Sequence, residues 1–175
     1  MTSVPAIQHL EQALALATQS LNITSPNPRV GCVITNSAGL LLGQGLTQRA
    51  GGPHAEIMAL QDAQTKGYSV KGATAYVTLE PCAHHGRTGP CCDALIAAGL
   101  QKVVATNLDP NPLVAGQGFA RLRAAGVDLD VLPPEHPLAI ASRELNIGFF
   151  SRMIRKTPWV RMKLAASLDG QTALQ

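Results

Sequence analysis

A three-layer α/β/α sandwich around a central mixed sheet is the fold this sequence predicts, and three observations carry it. Along residues 1–154, short strand-like segments alternate with helical stretches of ten or so residues, the pattern that sets helices on both faces of a sheet. One strand pair, "VGCVIT" and "LLLGQG", is joined by a tight turn at Asn36–Gly39, so an antiparallel hairpin enters the sheet. Apolar residues make up 46% of the 175 and charged residues 14%, enough to bury a core and too apolar for a disordered chain. Only 3% are aromatic while Ala and Gly are abundant, which suits layers in close contact.

In chain order, Ile7, Leu10, Leu14 and Leu16–Ala17 recur at helical spacing, so residues 6–20 read as an amphipathic helix. The two prolines of "SPNPRVG" end it, and the hairpin follows. "PHAE" opens a second helix that runs to about Thr65. "TAYVTL" (74–79) is a buried strand leading into the loop "EPCAHHGRTGP", and Cys91 to Ala98 is a helix stopped by Gly99. "KVVATN" is a strand followed by "LDPNP", residues 117–125 form a helix that stops at Gly126, and "VDLDVL" is a further strand. After "PPEHP", one long helix is expected from Leu138 to about Ile154.

The segment "TPWVRMKLAASLDGQTALQ" differs in kind. Val160, Met162 and Leu164 alternate with Arg161 and Lys163, the pattern of a half-buried strand. It is either an edge strand of the same domain or the first strand of a second one. The expected organisation is a domain at 1–154 and, at 155–175, the first strand of a domain otherwise absent.

No apolar stretch approaches the ~18 residues of a membrane span, and the N-terminus lacks a basic, cleavable signal. A cytoplasmic protein with no membrane partner is expected. In that reducing compartment Cys32, Cys82, Cys91 and Cys92 favour metal binding or catalysis over disulfides. The net charge of +3 is mild, and no run of Lys or Arg interleaves with aromatics, so no nucleic-acid partner is expected.

The chemistry concentrates in "GGPHAEIMAL" and "PCAHHGRTGPCC". By itself, His54-x-Glu56 at a helix start also fits a core histidine and a glutamate favoured by the helix dipole. The second cluster changes that, because one histidine and two cysteines supply three metal ligands and leave the fourth position for water. Closed four-ligand sites are structural, whereas an open position marks a catalytic one. His54, Cys82 and Cys91 form such an open set, and a helix starting at Cys91 favours its thiolate. Glu56 is not a ligand and stands where it can take a proton from water, as in zinc deaminases with H-x-E followed by P-C and a second cysteine.

"PNPRVGCVI", "GGPHAE", "AYVTLEPCAHHGRTGPCCDALI" and "DPNPLVAGQG" together resemble the bifunctional pyrimidine deaminase/reductase family of riboflavin biosynthesis. Residues from about Ile7 to Phe150 are similar to that family's N-terminal deaminase domain, and "VRMKLAASLDGQTA" to the opening strand of its reductase domain. Zinc deaminases of cytidine, deoxycytidylate, guanine or tRNA adenosine usually carry a shorter P-C-x-x-C. Here the longer loop holds His84, His85, Arg87 and Thr88, which suits an anionic substrate group.

The resemblance implies a cytidine deaminase-like fold, one Zn2+ per chain, a phosphorylated pyrimidine as substrate and a homo-oligomer. It implies NADPH only where the reductase domain is present, and a stub cannot form that dinucleotide site. It places the second thiolate at Cys91 rather than Cys92, which with Cys32 is left to the core. Asn27 would bond the substrate near its ring, His84 and Arg87 would face the ribosyl phosphate, and Asp109 and Asn111 would position ring or ribose. The same "DPNP" also forms plain turns. Glu80 has either a supporting role at the centre or a place in a surface loop. Where many relatives carry a histidine after the second strand, this chain has Thr47, which bonds but carries no charge.

Overall fold

The computed structural model of the chain describes residues 4–84, 89–112 and 114–172. Strands β1 (Gly31–Thr35), β2 (Leu41–Leu46), β3 (Thr74–Val77), β4 (Lys102–Ala105) and β5 (Asp128–Val131) form one sheet in the order β2-β1-β3-β4-β5. β1 pairs antiparallel with both β2 and β3, and β3, β4 and β5 run parallel. The expected mixed sheet and its hairpin are both present.

Period-two alternation splits the sheet between two cores. Cys32, Ile34, Ala75, Val77, Val103 and Ala105 face α2 (Ala55–Thr65), α3 (Cys91–Ala97) and α4 (Gln117–Ala124). Val33, Tyr76 and Val104 face α1 (Val4–Gln19) and α5 (Pro137–Leu145). This is the α/β/α sandwich, and the cores use small residues where helix meets sheet. On β2, a Cβ added to Gly43 would stand 2.2 Å from the Ala59 carbonyl oxygen. One added to Gly45 would stand 2.5 Å from the Ala55 carbonyl oxygen and from the Ala59 nitrogen. Absent side chains let α2 lie directly on the hairpin.

One expectation is corrected. The single helix from Leu138 to Ile154 is interrupted at Asn146 (φ −108°, ψ 20°), giving α5, a short α6 (Ile147–Phe150) and a π-helical turn at Ser151–Arg155. Asn146 is fully buried, and its side chain spends itself on backbone groups elsewhere. Its amide donates to the carbonyls of Arg29 (2.9 Å) and Ser142 (3.2 Å), and its oxygen accepts the Arg29 N–H (2.7 Å). A side chain so engaged bends the helix and ties it to the segment after Pro28.

The alternating stretch at 160–164 is no edge strand, since the sheet ends at β2 and β5. Val160, Met162 and Leu164 are 80%, 84% and 69% exposed. Among the described residues, no helix is long and apolar enough to cross a membrane.

Candidate active site

Three chain segments converge beyond the ends of β3 and β4. His54 is the residue before α2, with extended backbone, and Glu56 lies in the first turn of that helix. Cys82 sits in the loop after β3, and Cys91 is the first residue of α3. The His54 Nδ1 atom is 3.6 Å from Cys82 Sγ and 3.3 Å from Cys91 Sγ, and all three donor atoms lie within 4.8 Å of one another. Tetrahedral zinc, with bonds of ~2.3 Å to sulfur and ~2.0 Å to nitrogen, separates such donors by about 3.6 Å. The donor set therefore fits zinc in both chemistry and spacing.

The two thiols are shifted in opposite directions by their mutual hydrogen bond. Cys82 is pulled down to about 4, chiefly by its hydrogen bond with the Cys91 side chain, and further by His54 and the Cys91 N–H, against the opposing effect of burial. Cys91 is pushed up by the same pairing with Cys82 and by burial. His54 is raised by its bond to Cys82. Two sulfurs arranged about one proton and one imidazole are a site from which a metal ion displaces protons. Glu56 is buried and makes no fourth ligand in this grouping. Burial and the Cys82 charge push it up to about 7, with His54 opposing.

The centre opens into a cavity of about 470 Å³. Asn27, His54, Glu56, Cys82, His84, Asp109 and Asn111, all singled out from sequence, line it together. Arg87 lies outside the described residues. Asp109 is buried, and burial pushes its carboxyl up to about 6, with the Asn111 N–H bond (2.8 Å) opposing and the Glu80 charge adding. Thr47 is also on the wall, its hydroxyl directed to the Val30 carbonyl at 3.4 Å. Cys32 and Cys92 are fully buried in the apolar core, as expected.

Phe149, Arg152 and Met153 complete a wall that sequence reasoning missed. They arrive there because the chain breaks at Asn146 and winds through α6 and the π turn. Arg152 donates to the Pro26 carbonyl at 2.9 Å and lies over the Phe149 ring at 5.8 Å, joining this wall to the segment that carries Asn27. No short motif marks these residues. Glu80, left open between two roles, is buried and also lines the cavity.

A mixed five-stranded sheet with an H-x-E pair and two cysteines at one end defines a class of zinc-dependent deaminases. Residues 5–107 match the family described as "Cytidine and deoxycytidylate deaminase zinc-binding region", and the chain belongs to that family. Within it, the chain is similar to the riboflavin biosynthesis protein RibD of Escherichia coli K12, at 54% identity over 167 residues, covering 95% of this chain and 43% of that protein. The RibD structure from Acinetobacter baumannii superposes with a TM-score of 0.87 at 46% identity, covering 98% of this chain and 46% of that one. A Thermotoga maritima diaminohydroxyphosphoribosylaminopyrimidine deaminase/5-amino-6-(5-phosphoribosylamino)uracil reductase gives 0.86 at 36% identity, covering 96% and 48%. The chain thus spans under half the length of each of these relatives.

Proposed function

We propose that this chain catalyses hydrolytic deamination of 2,5-diamino-6-ribosylamino-4(3H)-pyrimidinone 5′-phosphate, yielding 5-amino-6-ribosylaminouracil 5′-phosphate and ammonia, an early step of riboflavin biosynthesis. The observation that carries this reading is the convergence of His54, Cys82 and Cys91 beside buried Glu56, in one cavity with Asn27, Asp109 and Asn111. The names of the similar proteins supply the substrate and the pathway.

His54, Cys82 and Cys91 would hold one zinc ion per chain. When bound, zinc supplies Lewis-acid activation of water at neutral pH. Glu56 takes the proton from the attacking water and delivers it to the adjacent ring nitrogen, then takes the remaining proton of the newly added hydroxyl and transfers it to the departing amine as the carbonyl forms. Water and the amino-bearing carbon thereby become a carbonyl and ammonia. Burial raises the Glu56 carboxyl above the ordinary carboxylate range, which suits a group that must take up a proton before returning it. Asn27, Asp109 and Asn111 orient the ring and ribose, while His84 and Arg87 receive the phosphate.

Residues 155–175 are assigned to the first strand of a reductase domain, and NADPH belongs to that domain. The working protein is a cytoplasmic homo-oligomer whose four cysteines form no disulfide.

The test is ammonia release from the zinc-loaded chain, with the diaminopyrimidine ribosyl phosphate set against cytidine, dCMP, guanine and a tRNA anticodon stem. Release from the first alone is expected. Turnover of one of the others instead would reject the substrate.

A further inference from the structure

Glu80 is 3% exposed and has no part in the proton transfers above. Its carboxylate accepts three backbone N–H groups from one downstream segment. Oε2 accepts from Asp109 (3.1 Å) and Gly116 (3.0 Å), and Oε1 accepts from Phe119 (3.1 Å). Its own N–H donates to the Asn107 carbonyl at 2.9 Å. One residue therefore grips the segment at its entry from β4 and at its exit into the first turn of α4. A negative group at that helix start is also favoured by the helix dipole.

Gly118 permits the grip. A Cβ there would stand 1.9 Å from the Pro81 carbonyl oxygen and 3.2 Å from Glu80 Oε1. The gripped segment carries Asp109 and Asn111 to the cavity, and Glu80 is two residues before Cys82. The loop that bears a metal ligand and the wall that bears two substrate groups are thus joined through one carboxylate.

We propose that Glu80 is the positioning residue that sets the Asp109–Asn111 wall against the metal centre, acting on substrate only through those two residues. Its substrate consequence rests on the deaminase reading above, whereas its structural consequence does not. In Glu80→Gln one acceptor oxygen remains, the amide NH2 faces the N–H donors, and at least one of the three bonds is lost.

Two readouts of the zinc-loaded chain test this. By NMR hydrogen exchange, the Asp109, Gly116 and Phe119 amides should exchange at least about tenfold faster in Glu80→Gln, with those of β3 and β4 unchanged. In ammonia release, KM should rise roughly tenfold to a hundredfold, with kcat within about threefold and zinc content unchanged. Wild-type exchange and KM would overturn the proposal. So would a parallel loss of kcat and zinc at constant KM, which would make Glu80 a support of the metal loop alone. If the wild-type chain releases no ammonia, the deaminase reading fails and the exchange data decide Glu80 alone: acceleration confined to the three amides upholds it and none overturns it. If Glu80→Gln does not fold, Glu80→Asp, which withdraws the oxygens by one methylene, should give the same split. Failure of both to fold overturns positioning in favour of a folding role.

Discussion

Replacing Gly45 with alanine should damage the metal centre from the far side of α2. The new Cβ would meet the Ala55 carbonyl oxygen, the Ala59 nitrogen and Met58 Cβ, each at 2.5 Å, whereas ordinary contact begins at 3.4 Å. Two of these atoms are helix backbone, so no side chain can turn away, and the first turn of α2 must move by about 0.9 Å. Ala55 lies between His54 and Glu56, so both travel with it. Functional constellations tolerate displacements of about 0.5 Å.

Overpacking of this kind costs about 1–3 kcal/mol, which in a chain of this size lowers Tm by roughly 3–10 °C. A misplacement near 1 Å lowers kcat/KM by about 10²-fold. Thermal unfolding, zinc content and ammonia release measure the three effects. Gly148→Ala is the control, because nothing lies within 4 Å of its Cβ and alanine favours helix there. A Gly45→Ala protein with wild-type Tm and turnover would refute the view that a bare β2 backbone sets the position of His54 and Glu56.

Further outcomes follow from the same geometry. Cys82→Ala and His54→Ala should each abolish stoichiometric zinc binding, while Cys92→Ala should retain it; metal analysis after gel filtration distinguishes them. Asn27→Ala should raise KM about tenfold or more with zinc content unchanged, as steady-state kinetics would show. Asp109 carries a pH-dependent penalty: its folded-state carboxyl lies near 6 against an ordinary 3.8, so the native state holds its proton more tightly than the unfolded chain does. Stability is therefore lost as pH rises from about 4 through about 6, by up to ~3 kcal/mol. Asp109→Asn, which can still accept the Asn111 N–H, should raise Tm at pH 7.5 and leave it nearly unchanged at pH 4. Equal gains at both pH values would contradict the burial effect.

Much of this structure is legible in local pattern. The short apolar runs in "VGCVIT" and "KVVATN" and the helical spacing of Ile7, Leu10 and Leu14 express contacts within one element and its own layer, and β1, β4 and α1 form where those patterns lie. His54-x-Glu56 and the Cys82–Cys91 spacing are legible because ligand chemistry restricts residue type. The break at Asn146 is not, since it depends on Arg29, 117 residues away. Nor is the grip of Glu80, whose three partners lie 29 to 39 residues downstream and present only backbone N–H groups, which every residue but proline has. Phe149, Arg152 and Met153 reach the cavity only after that Asn146 break, so no periodicity could place them there. Alternation at 160–164 reports a strand's preference but not its partner, and these residues pair with none of the five strands.

The most direct measurement compares ammonia release by the wild-type chain and by Glu56→Gln, each with its zinc content determined, on the diaminopyrimidine ribosyl phosphate. Wild-type protein should turn over while Glu56→Gln, with equal zinc, loses about 10²- to 10⁴-fold in rate. Equal turnover by the two zinc-loaded proteins would contradict the assignment of proton transfer to Glu56 and, with it, the chemistry assigned to this site.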